Sequence, residues 1–290
     1  MDKLKSNKST RIKAFTKLRP SVPRVYGMTG TPASENLLGL WAETHCVDGG
    51  ATFGRSFARW RDAFFDSDYM GWVWTPKPAT EEAIFKAIAP FTFRLSAEDA
   101  GIELPEVVEV EHPSALEPEQ GRVYWRLEAE FIAHVRDGVL VDLPKDDEEV
   151  DTVEAPSRAI LSNKLRQVTS GFAYRRPGEA PVRLGQAKRA ALEETIDALA
   201  EEGKQLLVAY WWKDEEAWLR ERGIRIFRDD PEESLTEWSA GRCMVMAIHP
   251  ASAGHGLNLQ QSRCEHLWFM TLPWSLGLNT QTDGRHKRSG

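Results

Sequence analysis

The last hundred residues alternate between amphipathic segments and short apolar runs. Leu192, Ile196 and Leu199 form one apolar stripe of a predicted helix over 188–202, and Gly203 ends it. Further helices are predicted over 213–222 and 231–238, and the apolar runs between the helices predict strands at 205–210, 224–227, 243–248 and 266–272. This order predicts an α/β fold, with a parallel sheet that is covered by helices on both faces. Functional residues of such sheets lie in the loops after the strands.

The preceding part of the chain is less regular. Ile12, Phe15 and Leu18 predict a helix over 10–19, and residues 45–100 are rich in aromatic side chains, which is typical of short helices packed as a subdomain. The remaining predictions are strands at 22–28 and 107–110, helices at 35–43, 118–138 and 159–168, and an exposed acidic loop at 142–154.

Composition narrows the class of protein. The 290 residues suffice for one large domain or two smaller ones, and 41% hydrophobic residues with eleven tryptophans indicate a packed core. Cys46, Cys243 and Cys264 are too widely spaced for a zinc site and favour a reducing, cytoplasmic setting. Neither a signal peptide nor an apolar run of about 18 residues is present, so we expect no membrane association.

Charge is distributed unevenly along a chain of net charge −7. Residues 1–24 carry eight Lys and Arg against Asp2, whereas residues 142–154 are strongly acidic. Solvated surface charge is the commoner meaning of such runs, and a nucleic-acid-binding face is the alternative.

Three segments are candidates for phosphate chemistry. Arg285 and Arg288, three residues apart, place two guanidinium groups on one helical face, although a basic tail has the same pattern. Gly254 and Gly256 follow a predicted strand and allow close approach of a ligand to the backbone, although a tight structural turn would also use them. Thr29 begins a Thr-Gly-Thr-Pro turn whose composition names no function. The seven histidines show no metal-ligand spacing, and no GxxxxGK[ST] loop is present to hold ATP.

Taken in order, these segments resemble the Swi/Snf-type ATPases of helicase superfamily 2. Residues 25–41 resemble motif III, and residues 90–94 with 104–105 resemble the bridge between lobes. Residues 206–210 resemble motif IV, 251–260 motif V and 273–288 motif VI. The residues of motifs V and VI are similar to those of bacterial and phage members of the family. On this resemblance the chain starts a few residues after motif II and stops before the final strand, so the ATP-gripping motifs I and II are missing.

The resemblance assigns roles to individual residues. Arg285 and Arg288 would be arginine fingers, with Gln281 as their partner in motif VI. Gly254 and Gly256 would line the nucleotide cleft. Coupling of nucleotide to DNA, or contact with the DNA backbone, is implied for Thr29, Gly30, Thr31, Ser252 and Asn258.

The resemblance also implies an organisation and a function. Residues 1–44 would be the remnant of a first RecA-like lobe and 45–104 a helical insertion with the interlobe bridge. Residues 105–290 would be a nearly complete second RecA-like lobe with a helical insertion at about 113–185. We expect part of an ATP-driven double-stranded DNA translocase that uses ATP and Mg²⁺ only with the missing N-terminal lobe, in cis or in trans. The alternative is a non-catalytic regulatory module that binds DNA or a partner helicase.

Overall fold

The computed structural model describes residues 9–30, 36–95, 99–101, 107–136, 139–141, 151–176, 178–252, 259, 262, 264–275, 277–280 and 282. The chain divides into two compact units, residues 1–103 with 275–277, and residues 104–274 with 278–290. Within the described residues no helix is long and apolar enough to cross a membrane.

The first unit consists of short helices around an aromatic core. Its helices are α1 (Thr10–Leu18), α2 (Gly39–Asp48), α3 (Phe57–Phe64) and α4 (Thr80–Ile88), and its hairpin pairs β1 (Phe65–Ser67) with β2 (Trp74–Pro76). Trp60 is 3% exposed, and its ring lies 5.4–6.0 Å from the rings of Phe53, Phe57, Phe64 and Phe65. Because Ile12, Leu40 and Ile84 share this core, the predicted lobe remnant and the predicted insertion pack as one body.

The second unit begins with an α+β region. It contains α5 (Pro118–Glu130), a three-stranded antiparallel sheet of β3 (Ile132–Arg136), β4 (Val139–Val141) and β5 (Asp151–Glu154), then α6 (Arg158–Thr169) and a hairpin of β6 (Phe172–Tyr174) with β7 (Pro181–Arg183). Val123, Leu127, Val135 and Val153 form the centre of its core.

A four-stranded parallel sheet follows. Its elements are α7 (Ala187–Glu201), β8 (Leu206–Ala209), α8 (Lys213–Glu221), β9 (Arg225–Ile226), α9 (Pro231–Ser239), β10 (Val245–Ile248) and β11 (His266–Phe269). The strand order is β11-β8-β10-β9, and every pairing is parallel. All four residues of β8 are buried, as expected for a central strand with side chains packed on both faces. The predicted α/β class with a parallel sheet is therefore confirmed.

Two predicted strands are absent. The segments 22–28 and 107–110 have no partner strand among the described residues, and a lone extended segment gains no ladder hydrogen bonds. Tyr26 and Met28 are 83% and 88% exposed, and Val108 is 76% exposed. Their apolar composition indicated strands, but composition does not show whether a partner strand lies beside them.

The predicted helix over 118–138 and the helical insertion at about 113–185 also need correction. The helix ends at Glu130, because Phe131 takes a left-handed backbone (φ 62°) and the next residues pair with β5 as strand β3. The insertion therefore contains five strands as well as two helices in its described part. The last four residues of the predicted acidic loop form β5, whereas 142–150 lie outside the described residues.

Candidate functional site

Three loops leave the parallel sheet at one edge. They follow β8, β10 and β11, which are neighbours, and the last residues of these strands, Ala209, Ile248 and Phe269, pair at one level. The carboxyl edge of a parallel sheet is where ligands bind in α/β proteins. The candidate site is therefore built from the residues that begin these loops.

His249 joins the first two loops. Its ring stacks on Trp211 at 5.1 Å between centroids, Nε2 lies 3.2 Å from the Trp211 carbonyl oxygen, and the Ala251 amide donates to Nδ1 at 3.2 Å. Since Nδ1 accepts, Nε2 carries the proton and donates to Trp211. Burial lowers the pKa of His249, and the neighbouring Arg228 acts in the same direction. His249 is thus a neutral bridge between the β8 and β10 loops.

Glu215, in the first turn of α8, is the central buried acid and is 1% exposed. One carboxylate oxygen accepts from the Trp211 and Trp212 amides at 2.8 and 3.1 Å, which caps the helix. The other accepts from the Thr271 hydroxyl at 2.5 Å. Burial raises the pKa of Glu215, and these hydrogen bonds and the charge of Lys188 oppose the shift. A single carboxylate therefore ties the β8 loop, α8 and the β11 loop together.

Two cations and a hydroxyl surround this acid. The Ser170 hydroxyl at the end of α6 lies 2.8 Å from that of Thr271. Lys188 of α7 is 3.5 Å from the Met270 carbonyl oxygen, and burial lowers the pKa of this lysine. The Arg166 guanidinium donates to the Leu272 carbonyl. Both helices are thus attached to the segment that runs from β11 into residues 273–288.

Arg166 also faces two indole rings. It lies 5.7 Å from the ring centroid of Trp212 and 5.8 Å from that of Trp274, and Trp274 is 76% exposed. A cation held between aromatic faces is stabilised by their quadrupoles. The open Trp274 face is the accessible part of this arrangement.

The residues beside Glu215 point in other directions. Asp214 forms ion pairs with Arg183 and Arg189, and its amide donates to the Tyr174 hydroxyl at 3.0 Å. Glu216 accepts from Arg220 at 2.9–3.0 Å and from Arg228 at 2.6 Å. The first turn of α8 therefore fixes three separate parts of the unit, and its role here is to position the loops.

The site residues predicted from the sequence fall in two groups. Thr29 is half-buried, Gly30 is exposed with open space around it, and the Ser252 hydroxyl donates to the His249 carbonyl at 3.1 Å. Ser252 therefore stabilises the turn after β10. The others lie outside the described residues: Thr31, Gly254, Gly256, Asn258, Gln281, Arg285 and Arg288.

Three residues of the site were not predicted from the sequence: Glu215, Thr271 and Arg166. Glu215 had only a partial signal, because an acid at the third position of the predicted helix over 213–222 is half of a capping box, whereas Trp212 stands where such a box has Ser or Thr. Thr271 and Arg166 had none, since they meet this acid only through the tertiary fold. The described residues contain no group of three or more His, Cys, Asp or Glu side chains arranged to hold a metal ion.

The fold and this loop edge define a mixed α/β protein with a four-stranded parallel sheet. No protein-family model matches the chain. The chain is similar to a protein named "Putative protein p41" from Acyrthosiphon pisum secondary endosymbiont phage 1, with 28% identity over 281 residues. The match covers 88% of this chain and 56% of p41, so the chain spans little more than half the length of that relative.

Proposed function

We propose that the chain is part of a DNA-dependent ATPase of the Swi/Snf type, a motor that moves along double-stranded DNA. Its second unit would be the second RecA-like lobe. The similarity to p41 accords with a phage origin of the chain, and we assign the proposed motor to the bacterial or phage-like branch on the residues of motifs V and VI.

The observation that carries the proposal is the attachment of three motif-like segments to three neighbouring strands. The segment similar to motif IV is β8 with Tyr210, the one similar to motif V follows β10, and the one similar to motif VI follows β11. Their order along the chain does not require these strands to be neighbours. In the sheet these strands are neighbours: the motif IV-like segment ends at the carboxyl edge, and the other two segments follow strands that end at the same edge.

Arg285 and Arg288 would act as arginine fingers, with Gln281 beside them. A guanidinium group is always charged and matches phosphate oxygens, so it can stabilise the charge that builds on a phosphoryl group in transfer. The tie from Arg166 and Glu215 to the β11 loop would hold the start of this segment in place. Gly254 and Gly256 would line the same cleft.

The 290 residues contain no GxxxxGK[ST] loop. ATP and Mg²⁺ would therefore be held with a first RecA-like lobe, supplied in cis or in trans. Thr29, Gly30, Thr31, Ser252 and Asn258 would couple that nucleotide to DNA. DNA would be bound through its phosphates, with little sequence preference and strong dependence on salt.

The test is ATP hydrolysis by the chain, alone and mixed with a first lobe of this type, with and without duplex DNA. We expect activity only in the mixture with DNA, and a loss of about 10³-fold or more in the Arg285→Ala, Arg288→Ala variant. An Arg59→Ala, Lys86→Ala variant removes the same charge at two exposed positions outside the motif-like segments and should keep full activity. If no mixture hydrolyses ATP although the chain binds DNA, the non-catalytic regulatory module is the better description.

A further inference from the structure

A group of exposed cations belongs to the first unit, whereas the parallel sheet with its motif-like segments belongs to the second. Residues 9–30 contain five basic residues and no acidic one, in a chain whose net charge is −7. Four of these cations, Arg11, Lys13, Lys17 and Arg24, are exposed, and we refer to them as the basic surface.

Helix α1 presents three of these cations, Arg11, Lys13 and Lys17, to solvent because the side with Ile12 and Phe15 is packed against the core. Ile12 is 3% exposed within the core of the unit, and Phe15 packs against the same core. Ser9 caps the helix by accepting from the Ile12 amide at 3.2 Å. The orientation of Arg11, Lys13 and Lys17 towards solvent is therefore fixed by packing.

The basic surface is distinguished by a stretch of sequence without any acidic residue, whereas the exposed Arg59 has Asp62 three residues away and the exposed Lys86 has Glu82 four residues away. Within the described part of the chain, no ion pair involves its four members, whereas Arg220, Arg225 and Arg242 each pair with a nearby acid. The fifth cation, Arg19, serves the fold, because its guanidinium donates to the carbonyls of Val22 and Val47 at 2.7–3.2 Å. Four like charges without a counter-charge repel one another and favour a polyanion.

A nucleic acid fits this surface better than an anionic membrane does. Membrane-surface helices insert an apolar face into the bilayer, but that face of α1 is already buried in the protein core. Tyr26, 83% exposed beside Arg24, adds an aromatic side chain of the kind that contacts sugar or base.

We propose that the basic surface of the first unit binds the phosphate backbone of a nucleic acid, in a contact that does not use the loops of the parallel sheet. The inference rests on the proposed function only for the form of the partner, which is then duplex DNA. Phosphate contacts position a protein without reading sequence.

The test compares DNA binding by the whole chain with that of an Arg11→Gln, Lys13→Gln, Lys17→Gln variant, over a series of salt concentrations. The probe is a labelled 20-base-pair duplex followed by fluorescence anisotropy, with vesicles containing phosphatidylserine as a second probe. Loss of three phosphate contacts should lower the slope of log affinity against log salt by roughly 2–3. An Arg55→Gln, Arg59→Gln, Lys86→Gln variant removes three exposed cations of the same unit and should bind like the parent.

Circular dichroism and thermal melting confirm that both variants fold. Unchanged binding by the α1 variant, an equal loss in the control variant, or binding of the chain to vesicles but not to DNA would each overturn the inference. The outcome of the ATP hydrolysis assay is independent of this DNA-binding measurement. If DNA binding depends on α1 but no mixture hydrolyses ATP, the proposed ATP-driven motor is wrong and the proposed DNA contact of the basic surface stands.

Discussion

The two compact units connect distant parts of the chain in different ways. In the second unit, backbone hydrogen bonds along β8, β10 and β11 join segments that are far apart in sequence. The first unit has only a two-stranded hairpin among its described residues, and side chains make the connections. Trp60 packs against four aromatic rings, while Arg19 holds the end of α2. The second unit thus depends on many backbone hydrogen bonds, whereas the first unit depends on a few side-chain contacts.

The largest effect is expected from removing one buried indole in each unit. Trp238 is fully buried beneath the sheet and Trp60 is 3% exposed, so replacement of either by Ala should cost about 3–5 kcal/mol. Hydrogen exchange should show the loss of protection in β8 and β10 for Trp238→Ala, and in α2 to α4 for Trp60→Ala. Replacing the exposed Trp125 and Trp72 in the same way should leave exchange unchanged. An equal loss of protection for the buried and the exposed replacements would contradict the placement of Trp60 and Trp238 in the cores of the two units.

Gly171 tests whether backbone crowding matters in the second unit. Its φ is +87°, and a Cβ there would lie 2.1 Å from the Gly185 carbonyl oxygen, whereas Gly178, at φ +90°, has open space. Both Gly→Ala changes carry backbone strain of roughly 1–2 kcal/mol, and the clash should add about 1–3 kcal/mol at Gly171 alone. Urea unfolding of the two variants measures the difference. Equal stabilities would show that β6 and β7 shift at no cost.

Arg19→Ala removes a side-chain connection of the first unit. The carbonyls of Cys46 and Val47 at the end of α2 lose a charged donor, which should cost about 1.5–3 kcal/mol. Thermal melting measures this loss, and Arg24→Ala, an exposed change nearby, should melt like the parent. An unchanged melting temperature for Arg19→Ala would mean that aromatic packing alone holds the unit.

Glu215→Gln is expected to have the smallest effect, and one that depends on pH. Burial raises the pKa of Glu215 in the folded state, so the folded protein binds its proton more tightly than the unfolded chain does. The resulting stability is present below the unfolded value of about 4.3 and is lost as pH rises through the folded pKa. Glutamine cannot ionise, so the variant should gain stability relative to the parent as pH rises from about 4.3 through the folded pKa of Glu215.

Urea midpoints at several pH values measure this gain, with Glu221→Gln as an exposed control in the same helix. A difference between parent and variant that does not change with pH would show that Glu215 has no raised pKa.

Hydrophobic periodicity predicted the helices beside the parallel sheet well. The helices over 188–202, 213–222 and 231–238 lie within one or two residues of α7, α8 and α9, because each has a clear apolar stripe or capping residue. The segment 107–110 has strand-like composition too, but a strand also needs a neighbour, which composition does not describe. Helix α5 ends early because Phe131 adopts a left-handed conformation, and a phenylalanine gives no local sign of that.

The candidate site was less predictable. Ser252 could be singled out by resemblance, and its hydroxyl does take part in the turn after β10. The assembly of Ser170, Thr271 and Glu215 joins residues up to 101 positions apart, and no local pattern encodes such a meeting. Tertiary contacts of this kind follow from the fold rather than from spacing.

The first turn of α8 has a consequence for how the chain can change in length. Asp214, Glu215 and Glu216 are consecutive acids, yet each is bound to a different part of the unit. Loss or gain of one residue here rotates the helix by about 100° relative to the preceding loop. Each carboxylate would then face its neighbour's partner, so insertions and deletions between residues 210 and 216 should be rejected even where single substitutions are accepted.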